Sequence, residues 1–253
     1  MVNVRDISDY INSFAPYNTK CDWDNCGILV GDGDKQVNKI AFALDLTKET
    51  LEEAKKFGAE LIITHHPVIF RAQNNFLKGN LPYELAVSGI SAISAHTCFD
   101  CAFGGVNDVL CEILGITDAE GVPSSDCAVP MARIGSVEEI SSSDFSAFVA
   151  EKLSTVCRVA DASNTIRRVA VCGGAGMDFF SEAVKMGADA YVTGDVSHHG
   201  FLEAKEKGVT VIAAGHFETE FPSMLRLMEL VSNKFNEIEC LVINQTNPVK
   251  FIG

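Results

Sequence analysis

No stretch of the 253-residue chain approaches the ~18 consecutive apolar residues that a membrane helix requires, so a membrane-spanning protein is not expected. The opening segment MVNVRDISDYINSF has no basic stretch followed by an apolar block, which argues against secretion. Lys and Arg never cluster beyond two in sequence, and the formal net charge is −14. That balance repels a phosphate backbone and disfavours nucleic acid as a partner. It does not exclude a phosphorylated small molecule, because bound divalent cations reverse the local field inside a cleft. The nine cysteines (Cys21, Cys26, Cys98, Cys101, Cys111, Cys127, Cys157, Cys172 and Cys240) are odd in number and lack the density of a disulfide scaffold. They point to a reducing, cytoplasmic compartment.

The remaining composition, 47% hydrophobic and 21% charged, is that of a globular chain large enough for one big domain or two small ones. Short runs rich in Val, Ile and Ala alternate with charged stretches of helical period, which predicts an α/β fold of mainly parallel sheet flanked by helices. KIAFALD (39–45) reads as a strand and LTKETLEEAKKFG as a helix with Thr47 as N-cap, Thr50 three residues on and Gly58 as the stop. ELIIT is the next strand, LPYELAVSG a helix opened by Pro82, and SAISA a further strand. The order returns later as RRVAVCG, MDFFSEAVKMG, ADAYVTG, HGFLEAKEKG and VTVIAAG. AKKFGAELIITHH and AVKMGADAYVTGD share Gly and Ala at the helix end and Thr at the strand end. A diverged internal repeat accounts for this, and so do two βαβ units with common turn chemistry. On the repeat reading the chain divides into a first α/β lobe (1–120), a connecting segment (121–164) with a strand and a helix, and a second α/β lobe (165–253).

All six histidines lie shortly after apolar strand patterns: LIIT leads into His65 and His66, AISA into His96, YVTG into Asp195, His198 and His199, and VIAAG into His216. Ligands in open α/β sheets bind beyond the carboxyl ends of the parallel strands, so these side chains can converge. Carboxylates accompany them in HTCFD (His96, Asp100) and GHFETE (His216, Glu218, Glu220). With a helix starting near Thr219, Glu220 falls about one turn from His216 and Glu218 points away. Imidazoles mixed with carboxylates suit Zn, Mn, Fe, Co or Ni rather than Ca or Mg. His65, His66, His96, Asp100, His216 and Glu220 exceed the roughly four ligands of one tetrahedral ion, and the surplus points to two divalent cations.

Each feature also has a plainer reading. A lone histidine after a strand is commonly a satisfied polar residue, and it is the joint pattern that favours metal. His198 and His199 open a helical pattern, where they can contact substrate, support a ligand, cap the helix or face solvent. Cys98 and Cys101 form one C-x-x-C without a companion, which fits buried, inert thiols better than zinc or redox chemistry. GGAG (173–176) follows a strand but has neither the full G-x-G-x-x-G nor a P-loop lysine, so a tight turn is favoured over a phosphate cradle.

WDNCGILVG (23–31), ALDLT (43–47), THHP (64–67), HTCFD (96–100), TGDVSHH (193–199) and GHFETE (215–220) together resemble, in order and over nearly the whole chain, the motifs of the Nif-three-like dinuclear metal centre family, the GTP cyclohydrolase 1 type 2 homologues. The resemblance implies that His65, His66, His96, Asp100, His216 and Glu220 are the ligands, with Glu220 bridging both ions. It implies two similar α/β lobes with the metal site at the strand ends between them, in a toroidal homohexamer whose sites face an internal cavity. It also implies that this chain lacks a domain that some bacterial members insert, and Cys98 in HTCFD departs from the commoner middle of that motif. The function so implied is a metal-dependent hydrolase of a small, nucleotide-like substrate, with ring-opening of GTP as the specific reaction and Glu220, Asp45 and His199 as candidates to bridge metals or move protons. The alternative is a non-catalytic metal-binding oligomer that serves as an adaptor or in metal handling.

Overall fold

The computed structural model describes residues 1–123, 129–250 and 252; residues 124–128 of the connecting segment, Cys127 among them, lie outside the described residues. The chain opens with helix α1 (Val4–Phe14), strands β1 (Gly27–Val30) and β2 (Lys39–Ala43), helix α2 (Lys48–Phe57), strand β3 (Leu61–Thr64), helix α3 (Leu81–Ser88), strand β4 (Ser91–Ser94) and the short helix α4 (Thr97–Cys101). There follow α5 (Val106–Ile113), β5 (Thr117–Gly121), β6 (Arg133–Ser141), α6 (Ser142–Lys152), β7 (Arg158–Ala160) and β8 (Thr165–Cys172). The remainder is α7 (Phe180–Lys185), β9 (Ala190–Thr193), α8 (His198–Lys207), β10 (Thr210–Ala213), α9 (His216–Glu220), α10 (Pro222–Lys234) and β11 (Glu239–Val242). Two compact units result, Met1–Phe103 with Met224–Thr246, and Gly104–Ser223 with Asn247–Gly253. No helix among the described residues is long and apolar enough to cross a membrane.

The first unit holds a five-stranded sheet in the order β1-β4-β3-β2-β11. β11, β2, β3 and β4 run parallel, and β1 lies antiparallel on the β4 edge. Strands covered on both faces read as unbroken apolar runs, and every residue of LIIT and SAIS is buried. Ala41, Ala43, Leu51, Ala54, Ile62, Leu85 and Ile243 belong to one core cluster of this unit. Register places Ala43, Thr64 and Ser94 level with one another, so β2, β3 and β4 end along one line. β11 pairs with β2 from across some two hundred residues, and Gln245 just beyond it grips the end of β2: its Oε1 accepts from Leu44 N and Asp45 N, and its Nε2 donates to Asp45 O.

The second unit holds a six-stranded sheet in the order β5-β6-β8-β9-β10-β7. Only β8, β9 and β10 are mutually parallel; β5–β6, β6–β8 and β7–β10 are antiparallel. The expected mainly parallel character therefore describes the first sheet, while the second is mixed. The short link of residues 122–132 between β5 and β6 favours an antiparallel pair, whereas β6 and β8 are antiparallel although α6 and β7 lie between them, a connection long enough for a parallel crossover. Cys172, Thr193 and Ala213 stand level at the ends of the three parallel strands. Ile166, Val169, Val171, Ala190, Val192 and Ile212 face a core shared with Phe145 and Val149 of α6.

The expected α2 boundaries are borne out. Thr47 is the N-cap, Thr47 Oγ1 accepts from Thr50 N at 3.2 Å and Thr50 Oγ1 accepts from Thr47 N at 2.6 Å. Gly58 closes the helix in the left-handed region at φ 79°, where a side chain is disfavoured. Thr47→Ala removes one acceptor of this box and is expected to lower stability by about 1 kcal/mol, measured by urea unfolding with an unchanged denaturant slope.

Candidate metal centre

His65 and His66 continue from β3, with His65 N donating to Ala43 O and His66 N to Leu44 O. His96 follows β4 as the residue capping α4, and Asp45 follows β2. The level ends of three parallel strands therefore gather these side chains at one edge of the first sheet. The imidazole centroids of His65, His66 and His96 lie 5.0–5.3 Å apart, and their ligand atoms fall within 4.8 Å of one another.

Each ring is fixed through Nδ1. His65 Nδ1 donates to the Ala95 carbonyl at 2.9 Å, His66 Nδ1 to Asp45 Oδ1 at 2.7 Å and His96 Nδ1 to Asp24 Oδ1 at 2.7 Å. A carbonyl or ionised carboxylate can only accept, so Nδ1 carries a proton, and in the neutral ring the lone pair is on Nε2. This is the arrangement that supports metal-ligating histidines, with a carboxylate or carbonyl behind the ring. Asp100 stands four residues after His96 at the end of the first turn of α4, and its Oδ1 lies 3.6 Å from His65 Nε2. That separation exceeds a hydrogen bond and suits two ligands of one cation.

Asp24 is the buried anchor of the group. Thr97 N and Thr97 Oγ1 donate to its Oδ2, as does the Cys26 thiol, while Asn25 N and His96 Nδ1 donate to Oδ1. Burial opposes its charge, but the hydrogen bond and charge of His96 together with the Thr97 and Cys26 hydrogen bonds prevail, holding the carboxyl well below its usual range. Cys98 is fully buried, and its hydrogen bond with Cys26, followed by burial, pushes its thiol far up. It therefore stays a neutral thiol. Cys98 and Cys101 both sit buried in α4 and form no disulfide.

The second unit carries a related arrangement. His216 opens α9, three residues earlier than the expected start near Thr219, and Glu220 still falls one turn along. His216 Nδ1 donates to Asp195 Oδ2 at 2.6 Å, and its Nε2 lies 3.2 Å from Glu220 Oε2. The hydrogen bond with Glu220 raises the His216 pKa to about 9 against the opposing effect of burial, and the charges of Glu220 and Asp195 add to it. Glu218 turns away, as expected, its Oε1 accepting from Asn247 Nδ2.

The GGAG turn supplies room for this pair. Gly173 N donates to Asn107 Oδ1, Gly174 N to Thr219 Oγ1 and Gly176 N to Thr193 Oγ1. These amides are committed within the protein rather than held for a phosphate. A Cβ on Gly174 would come within 2.1 Å of Glu220 Oε1 and 3.1 Å of His216 Nε2, and its φ is +62°. The turn is glycine so that the carboxylate can lie against it.

Residues 2–248 match the family described as Duf34/NIF3 (NGG1p interacting factor 3). The chain belongs to this family. A GTP cyclohydrolase 1 type 2 homolog of Clostridium perfringens is 35% identical over 99% of this chain and 100% of its own length, and one of Clostridium acetobutylicum 34% over 99% of each. Among solved structures, Staphylococcus aureus hypothetical protein SA1388 aligns with a TM-score of 0.90 at 27% identity, over 99% of each chain. Reduced HcgD from Methanocaldococcus jannaschii aligns with a TM-score of 0.84 at 26% identity, over 96% of this chain and 98% of its own.

Of the residues singled out in the sequence of this Duf34/NIF3 member, His65, His66, His96, Asp100 and Asp45 meet in the first unit, and His216 and Glu220 meet in the second. His198 and His199 lie exposed at the start of α8, ring centroids 5.7 Å apart, with Ser197 capping the helix. Asp24 was not singled out, because nothing in WDNCG sets it apart from other acidic residues 72 positions away from the histidine it holds. Asp195 sat in view beside its strand end, but its tie to His216 depends on the β9–β10 pairing.

In metal-free protein, the His216 imidazole is expected to titrate near pH 9, followed by its ring proton resonances. Because the folded value lies above the unfolded 6.5, the proton stabilises the fold fully below about pH 6.5 and this contribution is lost as pH rises through about 9. Glu220→Gln should return the midpoint toward 6.5. Gly174→Ala, which leaves both titrating side chains in the sequence, should lower it as well by displacing Glu220.

Proposed function

We propose that the protein is a dinuclear metal-dependent hydrolase of a small, nucleotide-like substrate, with ring-opening hydrolysis of GTP as the specific reaction. The observation that carries this reading is the set of three converging imidazoles whose Nδ1 protons are tied down, leaving Nε2 as the ligand atom on each. Duf34/NIF3 membership and the name GTP cyclohydrolase 1 type 2 homolog shared by the relatives support the choice of reaction. His65, His66, His96, Asp100, His216 and Glu220 are the proposed ligands of two divalent cations among Zn, Mn, Fe, Co and Ni, with Glu220 as the bridge. Bound there, such cations supply Lewis acidity toward water and toward a substrate oxygen.

The chain's own groups do the rest. Asp24, Asp45, Asp195 and the Ala95 carbonyl accept from Nδ1 and so fix the orientation of each ring, leaving Nε2 as its other nitrogen. Asp45 and His199 are the proposed carriers of protons to and from the reacting atoms: Asp45 is half exposed beside His66, and His199 stands in solvent. The two lobes are proposed as diverged copies. Support comes from the repeated local plan of a strand, an imidazole at the start of a short helix, and a carboxylate four residues on, His96 with Asp100 and His216 with Glu220. A homohexamer with the metal sites facing an internal cavity is proposed from the resemblance of the sequence motifs, and a solution mass six times that of the chain would establish its stoichiometry.

Protein purified without chelators should contain transition metal that His66→Ala loses; unchanged stoichiometry would remove the histidines from the ligand set. Asp24→Asn should weaken metal affinity by about 10- to 100-fold while the ligands themselves remain, read by competition with a chromophoric chelator. For chemistry, metal-loaded protein is offered GTP, phosphoesters and cyclic amides, with Glu220→Ala as control. Loss of turnover in that variant is expected, and turnover that survives it would assign the activity to a contaminant.

A further inference from the structure

Beside the three imidazoles stands a pair of aromatic rings that no ligand role accounts for. Trp23, the single tryptophan of the chain, is 55% exposed, and Phe70 is 43% exposed. Their centroids are 5.7 Å apart with the rings tilted by 59°, and both meet His96 edge-on, at 5.9 Å for Trp23 and 6.3 Å for Phe70. Rings of this size are ordinarily turned inward, since burying one is worth a few kcal/mol. Here they are held outward by the residues around them. Asp24, adjacent to Trp23, is locked by its donors from His96 and Thr97. Asn25 Nδ2 donates to Ile69 O at 2.7 Å, tying the segment that bears Trp23 to the residue before Phe70. The same carboxylate that orients His96 thus fixes the position of the indole.

Charge points to what such a surface holds. In a chain of net charge −14 whose Lys and Arg never cluster beyond two in sequence, no run of side-chain cations is set out for the phosphates of a nucleotide-like substrate. Stacking on an aromatic ring is independent of that charge, and every planar heterocycle offers a face for it. We propose that Trp23 and Phe70 form a stacking subsite for the planar heteroaromatic ring of the substrate, placing that ring beside His96. This rests on the reading of the histidine cluster as the place where a small substrate reacts. It adds that the substrate is recognised through its ring rather than through its phosphates.

Trp23 reports on its own subsite, because excitation at the red edge of the indole band leaves the tyrosines silent. The intact metal-loaded protein is titrated with guanosine, adenosine, cytidine and, as the ring-free probe, ribose 5-phosphate, with correction for absorbance and with calorimetry in parallel. Saturable quenching by the nucleosides and none by ribose 5-phosphate is expected. Phe70→Ala should weaken nucleoside binding about tenfold, in line with the loss of one stacking face, and Trp23→Ala, followed by calorimetry, should do the same. Absence of saturable quenching by every nucleoside overturns the proposal, as does a nucleoside affinity that neither substitution changes while circular dichroism shows both variants folded. Trp23 emission insensitive to nucleosides and also to acrylamide overturns it too, because the face is then covered by another chain. His66→Ala separates the two readings. Nucleoside binding that persists in it without turnover in any protein supports the subsite and removes the hydrolase, whereas turnover indifferent to the substrate's ring removes the subsite and leaves the hydrolase.

Discussion

An imidazole at the end of a strand can turn about two bonds and carry its proton on either nitrogen, so a cluster of histidines is not in itself a ligand set. In this protein an acceptor behind Nδ1 removes both freedoms from His65, His66, His96 and His216. Three of the four acceptors are aspartates, and the fourth is a backbone carbonyl that cannot be changed without moving β4. Much of the local architecture follows from placing these acceptors. Asp45 and Asp195 follow the ends of β2 and β9, one strand over from the histidines they hold, and Asp24 comes from the loop before β1. A parallel sheet ending on a level line brings the first two within reach, and the antiparallel β1 brings the third.

The costs of the arrangement are met locally. Burying the Asp24 carboxylate would ordinarily favour its neutral form. Five donors surround it instead, from His96, Thr97 twice, Asn25 and Cys26. Its charge is therefore retained, and that charge keeps the His96 proton on Nδ1. In the second unit the equivalent space is made by omission: Gly174 has no side chain where Glu220 lies, and its amide is satisfied by Thr219 from the same short helix. The two halves meet the same requirement with different chemistry.

Much of this was legible in the sequence. The strand–helix alternation, the Thr47 and Gly58 boundaries of α2, and the grouping of His65, His66 and His96 at strand ends follow from periodicity and cap chemistry, which are local. The pairing of β11 with β2 was not legible, because ECLV carries no mark of its partner and the register is decided by a sheet edge formed two hundred residues earlier. The mixed character of the second sheet escaped for a similar reason, since side-chain pattern does not mark the direction in which a strand joins its neighbour. Asp24 was hidden because its role comes from burial, and burial of an acidic residue is the outcome that composition least predicts. The GGAG turn resolved as a tight turn once the partners of its amides were known.

The grip of Gln245 on Leu44 and Asp45 gives the first histidine cluster a dependence on time. A ribosome that has released the first hundred residues has already made all three imidazoles of that cluster and the acceptors behind them. The strand that flanks β2, and the amide that pins Asp45 behind His66, lie some two hundred residues further along. Until they are made the edge of the sheet beside β2 is open and the support of His66 is incomplete. Completion of the first histidine cluster thus waits on Gln245, made long after the histidines it serves.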